Sequence, residues 1–189
     1  MIEKPTIDEL RDIGNVPRVH GNGFLQLDIG PGTRLHIWGH PSLPRQIVDT
    51  GIHDHLFEFV SQVLVGRVVN RVMELVYPLS PVDATYKVYT PETRDGEDTV
   101  LVDSGKRGTI AERRIQVVAA GQAYNMRPYA FHETFTDRPS ATIMSKGKRF
   151  AGVARVLVPM GSEPDNRFNR NTAMSEASMW TIIEDVLWH

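Results

Sequence analysis

Apolar and polar positions alternate along most of this chain, and helical periodicity is confined to its two ends. Thr6-Ile7-Asp8-Glu9 has the form of a capping box, with Thr6 as N-cap. Ile7, Leu10 and Ile13 share one helical face and Gly14 is a stop signal. A short helix is expected there, packed over an open end or edge of a sheet. From Gly23 the period becomes two: Leu25, Leu27 and Ile29 fall on one side of Phe24–Ile29, Gly30-Pro31-Gly32 is a turn, and Thr33–Trp38 alternates again. Pro41 and Pro44 bracket a loop, and Arg45–Thr50 has the character of a short strand. Ile52 through Gly66 reads as one long strand that sends His53 and His55 to one side and Asp54 to the other. Phe57, Phe59, Ser61, Val63 and Val65 continue the histidine side.

Arg67–Tyr77 is rich in β-branched residues, and a strand is expected that pairs with the preceding one through a bend at Gly66. Pro78 and Pro81 end it. Thr85–Thr90 is strand-like and Pro91–Asp98 is turn-rich. Val100–Asp103 and Thr109–Val118 read as a hairpin around Ser104–Gly108. Ala141–Met144 and Phe150–Val158 are two further strands with a turn at Gly147, and Gly161–Asn171 is a polar linker. In the tail, Ser175–Trp188, the residues Met179, Trp180, Ile183, Val186 and Leu187 return to helical spacing. That helix is expected on the outside of the sheets or against a second subunit. About ten short strands with helices only at the ends is the pattern of an all-β sandwich or barrel in a single domain.

The bulk numbers leave this picture unchanged. The chain has 189 residues, 41 % of them hydrophobic and 23 % charged, with a net charge of −2. Nothing there points to nucleic acid or an anionic membrane as partner. The absence of cysteine excludes disulfides, thiolate metal sites and a cysteine nucleophile. No apolar run approaches a membrane span, and the acidic Met1–Leu10 lacks the core of a signal peptide, so the cytoplasm is the expected compartment.

Candidate chemistry begins with the histidines. Two imidazoles aimed from one strand into an apolar interior need partners, and a metal ion is a common one. Among His20, His36, His40, His53, His55, His132 and His189, the best third ligand is His132. It follows Pro128-Tyr129-Ala130-Phe131, so a turn leads directly into its strand, as Gly51 leads to His53. Three neutral imidazoles on one side of an ion leave the other side open to water, substrate or O2. Two histidines satisfied at a barrel rim would give the same local pattern. His36 and His40 read as surface groups or as groups behind the ligands. Glu133 and Asp54 should point away from the histidines, and Gln62 away from the interior. Tyr124 and Tyr129 flank the second stretch and Ser61 shares the histidine side; these are the candidate substrate-positioning groups.

The two stretches resemble the two cupin motifs. His53, His55 and Gly66 match the first motif, with Phe59 at its glutamate position. Gly121, Pro128 and His132 match the second loosely, with Ala130 in place of its usual glycine. A three-histidine set without the glutamate is similar to the thiol dioxygenases, the cysteine dioxygenase-like cupins; Ile52–His55, Tyr124–His132 and Leu35–Gly39 look like the corresponding stretches of that family. The resemblance spans Gly23 to Ser145 and implies a cupin, a double-stranded β-helix or jelly-roll barrel. Residues 1–22 would be an N-terminal helical segment, 23–160 the barrel, and 161–189 a linker and C-terminal helix. It implies that His53, His55 and His132 hold a divalent metal, Fe(II) foremost with Zn, Mn or Ni as alternatives. The implied activity is a mononuclear non-haem Fe(II) dioxygenase oxidising a small polar molecule, a thiol among the candidates, with O2.

The chain departs from that family in three ways. Without cysteine there is no cysteine–tyrosine crosslink. No His or Tyr stands at Ser145-Lys146-Gly147 to complete the family's Ser-His-Tyr relay. The arginine that grips a substrate carboxylate has Arg18, Arg34 and Arg45 as candidates. Two other functions fit the same residues: a cupin isomerase or hydrolase using Zn, Mn or Ni, and a non-catalytic cupin that only binds a small ligand. Cupins often pair through sheet edges and terminal segments, and the tail with Trp180 and Trp188 suits a homodimer.

Overall fold

A computed structural model describes residues 4–44, 51–93, 99–164 and 174–188. Helix α1 (Ile7–Asp12) is followed by strands β1 (Arg18–Val19), β2 (Leu25–Gly30), β3 (Thr33–Trp38), β4 (Phe57–Val65), β5 (Arg67–Val76), β6 (Tyr86–Thr93), β7 (Thr99–Ala119), β8 (Ala123–Met126), β9 (Phe131–Phe135), β10 (Ser140–Arg149) and β11 (Val156–Pro159), and then helix α2 (Glu176–Trp188). The strands form two antiparallel sheets, a six-stranded one in the order β1-β2-β3-β10-β4-β8 and a five-stranded one in the order β11-β6-β7-β5-β9. The architecture is the expected all-β, jelly-roll-like one with a short helix at either end. Among the described residues no helix is long and apolar enough to cross a membrane.

The capping box forms as the sequence predicts: the Glu9 amide donates to Thr6 Oγ1 at 3.2 Å and the Thr6 amide to the Glu9 carboxylate at 2.7 Å. Leu10 of this helix is buried with Ile183 and Leu187 of α2 against Leu25, Leu27, Leu35, Ile37 and Ile143. Both helices therefore cover the outer face of the six-stranded sheet. Each buried leucine or isoleucine there is worth about 1.5–3 kcal/mol of transfer free energy, an upper estimate for folding. The opposite face of β2 and β3 carries Gln26, Arg34, His36 and Trp38, which look into the space between the two sheets.

Four expectations about strands are corrected. The strand expected over Ile52–Gly66 begins only at Phe57; ahead of it, His53 forms isolated bridges to His132 and Val156. Residues 52–54 thus lie between β9 and β11, the outermost strands of the five-stranded sheet. Strands β4 and β5 are not partners: β4 pairs with β10 and β8, β5 with β7 and β9. Gly66 is a corner at which the chain leaves one sheet for the other. Its φ is +71°, and a Cβ there would lie 2.6 Å from the Pro139 carbonyl oxygen, so glycine is required. The expected hairpin over residues 100–118 is one long strand, β7, whose first half pairs with β6 and second half with β5. The turn residues Ser104 and Gly105 mark a local irregularity within it, where the Gly105 amide donates to Asp103. Strand β10 runs through Gly147 to Arg149 instead of turning there. The strand expected over Arg45–Thr50 lies outside the described residues.

Candidate metal centre

The site is built where the chain enters β4. The His53 amide donates to the His132 carbonyl at 3.0 Å, and the His132 amide to the His53 carbonyl at 2.9 Å, so the main chain fixes the spacing of these two residues. On the other side the Asp54 amide donates to the Arg155 carbonyl at 3.0 Å. Alternation turns the Asp54 side chain away from the imidazoles. It accepts from the Arg155 amide at 2.6 Å and from Arg155 Nε at 2.7 Å, and the guanidinium also lies over the Phe131 ring. Burial outweighs this partner and raises the Asp54 carboxyl above its ordinary value. The His55 carbonyl accepts from the Tyr129 amide at 2.8 Å. The chain around both histidines is therefore held to β9, to β11 and to the turn before β9.

Side chains of His53, His55 and His132 converge, one potential ligand atom from each, all within 4.8 Å of one another. Burial holds all three below the ordinary histidine range; for His55 the neighbouring His53 and His132 add to it, and for His132 so does His53. Neutral rings keep a lone pair available for a cation. His53 Nδ1 lies 2.9 Å from the Gly51 carbonyl and His132 Nδ1 3.0 Å from Asn70 Oδ1. With those nitrogens donating, each Nε2 is left with the free lone pair. The buried Nε2 of His132 has no hydrogen-bond partner. Phe59 is buried beside the triad, its ring centroid 5.3 Å from His55 and 5.6 Å from His132, and it presents hydrocarbon to the imidazoles.

The triad lies in the wall of a cavity of about 270 Å³ between the sheets. Ser61 and Tyr124 line it, as their positions on the sequence predict. Burial raises the Tyr124 hydroxyl, against the opposing effect of hydrogen bonds with Thr134 and Ser61. Arg34 also lines the cavity, with Nε 2.8 Å from Asp28; Arg18 shares that aspartate and does not reach the cavity. Tyr129, at a positive φ of 63°, does not line the cavity; its hydroxyl donates to the Ala151 carbonyl at 2.5 Å. Arg45 lies outside the described residues. Glu133 points away as expected and pairs with Arg71, and Gln62 does not line the cavity.

Sequence reasoning passed over Lys146, Asn70 and Thr134 as site residues, and it set His36 at the surface or behind the ligands. His36 is buried in the cavity wall, its imidazole pushed down to about 3 by burial and by the nearby His20, Arg34 and Lys146. Its position opposite Leu35 and Ile37 in an alternating strand was the available signal. Lys146 lines the same end, its Nζ 4.9 Å above the Phe57 ring, and burial and Arg34 lower it. Asn70 and Thr134 lie behind His132; Asn70 interrupts the apolar series of Val68 and Val72 on one side of β5, which marks it as a buried polar exception.

No family profile matches the sequence, and no curated protein matches it. Among solved structures the chain is similar to hydroquinone 1,2-dioxygenase from Sphingomonas sp. TTNP3 with 4-hydroxybenzoate bound, at 11 % identity and a TM-score of 0.35, over 70 % of this chain and 65 % of that one. It is also similar to hydroquinone 1,2-dioxygenase PnpCD in complex with Cd2+ and 4-hydroxybenzonitrile, at 15 % identity and a TM-score of 0.35, over 64 % of this chain and 61 % of that one. The matches thus span less than two thirds of either solved chain.

Proposed function

We propose that this protein is a metal-dependent cupin oxygenase in which His53, His55 and His132 hold a divalent ion, Fe(II) foremost, and which oxidises a small polar molecule, a thiol among the candidates. The observation that carries the reading is the convergence of three neutral imidazoles with a buried, unpartnered Nε2 on His132 and hydrocarbon from Phe59 in place of a fourth ligand. A cation satisfies that nitrogen, and a three-nitrogen set leaves coordination positions free on the cavity side. Bound there, such an ion would supply O2 activation and a Lewis-acid contact to substrate.

The chain's own residues account for the rest of the site. Phe24, Trp38, Phe57 and Phe59 give the cavity its apolar lining. Ser61 and the Tyr124 hydroxyl offer hydrogen bonds near the triad. Arg34 and Lys146 also face the cavity, with one aspartate, Asp28, already shared between Arg34 and Arg18. That surplus of positive charge favours a substrate with an anionic end.

The test is metal analysis of protein purified without chelators, followed by oxygen uptake with a panel of thiols and other small polar anions. Iron, with uptake that is lost in His53→Ala, is the expected result. Zinc, manganese or nickel without uptake would replace the oxygenase by an isomerase or hydrolase on the same ligands. No metal in either the wild type or His53→Ala would overturn the metal site itself and leave a ligand-binding cupin.

A further inference from the structure

We propose that Asn70 is a positioning residue that fixes the ring of His132 with its proton on Nδ1, so that the lone pair of Nε2 is directed into the triad. The inference rests on the metal-site reading and concerns the residue behind the ligand. Asn70 is completely buried on the inner side of β5, opposite Thr134 of β9. Its Oδ1 accepts from two groups, His132 Nδ1 at 3.0 Å and the Thr134 hydroxyl at 3.1 Å. Its Nδ2 lies 3.5 Å from Met126 Sδ, a weak acceptor. Reversing the amide would leave Oδ1 buried against a sulfur that donates nothing, and so without a hydrogen-bond donor. The orientation with Oδ1 toward the histidine is therefore the one that gives that oxygen its donors.

That orientation decides the tautomer. A carbonyl oxygen cannot donate, so His132 Nδ1 must carry the proton, and Nε2 is left as the basic nitrogen. The arrangement is reinforced from the cavity: the Tyr124 hydroxyl is hydrogen-bonded to Thr134, whose own hydroxyl donates to Asn70. A chain of polar groups thus runs from the cavity wall to the back of His132, along a path where the neighbours Val68 and Phe59 are apolar and offer no alternative acceptor. A ligand whose tautomer and ring orientation are set from behind binds metal more tightly than one free to choose.

The experiment compares wild type, Asn70→Leu and Asn70→Asp. Histidine tautomers are read from 15N NMR of the metal-free proteins, and affinity from Co(II) titration followed by its visible absorption. In the wild type, His132 should show a protonated Nδ1 and an unprotonated Nε2. Asn70→Asp keeps the acceptor and should retain both the tautomer and the affinity. Asn70→Leu should release the tautomer and weaken Co(II) about 10–100-fold. A wild-type His132 protonated on Nε2 overturns the inference without recourse to any variant, so a leucine variant that fails to fold does not block the test. Unchanged Co(II) affinity in a folded Asn70→Leu overturns it equally. A wild type that has the expected tautomer but binds no Co(II) overturns the metal reading, while the hold of Asn70 on the ring stands.

Discussion

On its outer face the six-stranded sheet presents Leu25, Leu27, Leu35, Ile37, Ala141 and Ile143 to the two helices. On its inner face the same strands present Gln26, Arg34, His36, Trp38 and Met144 to the cavity. The outer layer is aliphatic, dry and closed by α2, with Ile183 and Leu187 buried against it. The inner layer is aromatic and polar, and His36 and Asn22 each keep a buried atom there without a hydrogen bond. The difference shows where each requirement is met. The helices let the sheet take much of its stability from outside, so the space between the sheets is left for groups that folding alone would not choose.

Substitutions that act on one face should leave the other unmoved. The largest stability effect is expected from Leu35→Ala, a fully buried outer residue. Urea unfolding should show a loss of about 2–5 kcal/mol, with Co(II) affinity of the folded protein unchanged. A weaker Co(II) site in that variant would break the separation of the two faces.

Arg155→Met comes next. It leaves the Asp54 carboxylate buried with one backbone donor, at a cost of up to about 3 kcal/mol at neutral pH. Burial already raises the Asp54 carboxyl, so the variant can escape by protonating it. The deficit against wild type should narrow as the pH falls, and unfolding curves at a series of pH values would show this. Because Asp54 holds the segment that carries His53 and His55, this variant should also loosen Co(II), unlike Leu35→Ala.

The smallest effect belongs to His36. Its folded value of about 3 lies below the unfolded value near 6.5, so the unfolded chain takes up the proton first as the pH drops. The stability tied to the neutral ring is complete above about pH 6.5 and declines below it by at most ~1.4 kcal/mol per pH unit. His36→Gln should lose about one proton's worth of that acid slope between about pH 6 and 4, measured as stability against pH with metal absent. An unchanged slope would place His36 in contact with water and sink the contrast drawn for it.

Much of this was legible in the chain because facing is a local property. Period two separates Leu35 and Ile37 from His36 and Trp38, and it sends Asp54 away from His53 and His55. The capping box at Thr6 depends only on neighbours and forms as written. Pairing is not local. Nothing near Gly66 says whether the chain folds back as a hairpin or crosses to another sheet; the close packing of Pro139 and Ser140 against it decides, and those residues come much later. Ser104 and Gly105 carry turn chemistry, yet β6 and β5 together hold β7 as a single strand. Tyr129 stands beside the motif in the sequence, yet its hydroxyl is taken up by the Ala151 carbonyl, a partner supplied from further along the chain. Asn70 was visible as a polar break in an apolar series, but its partner His132 is supplied by β9.

The bridges of His53 have a consequence for solubility. A strand at the margin of a sheet offers unpaired amides and carbonyls to any passing chain. Here β9 and β11 are the margins of the five-stranded sheet, and residues 52–54 hydrogen-bond to both of them. The short segment that carries the histidines is also the guard on those two margins. An ion gripping His53 and His132 together would clamp that guard to β9. Its loss would expose two sticky edges at once, and self-association would then report damage to the site before any assay of chemistry did.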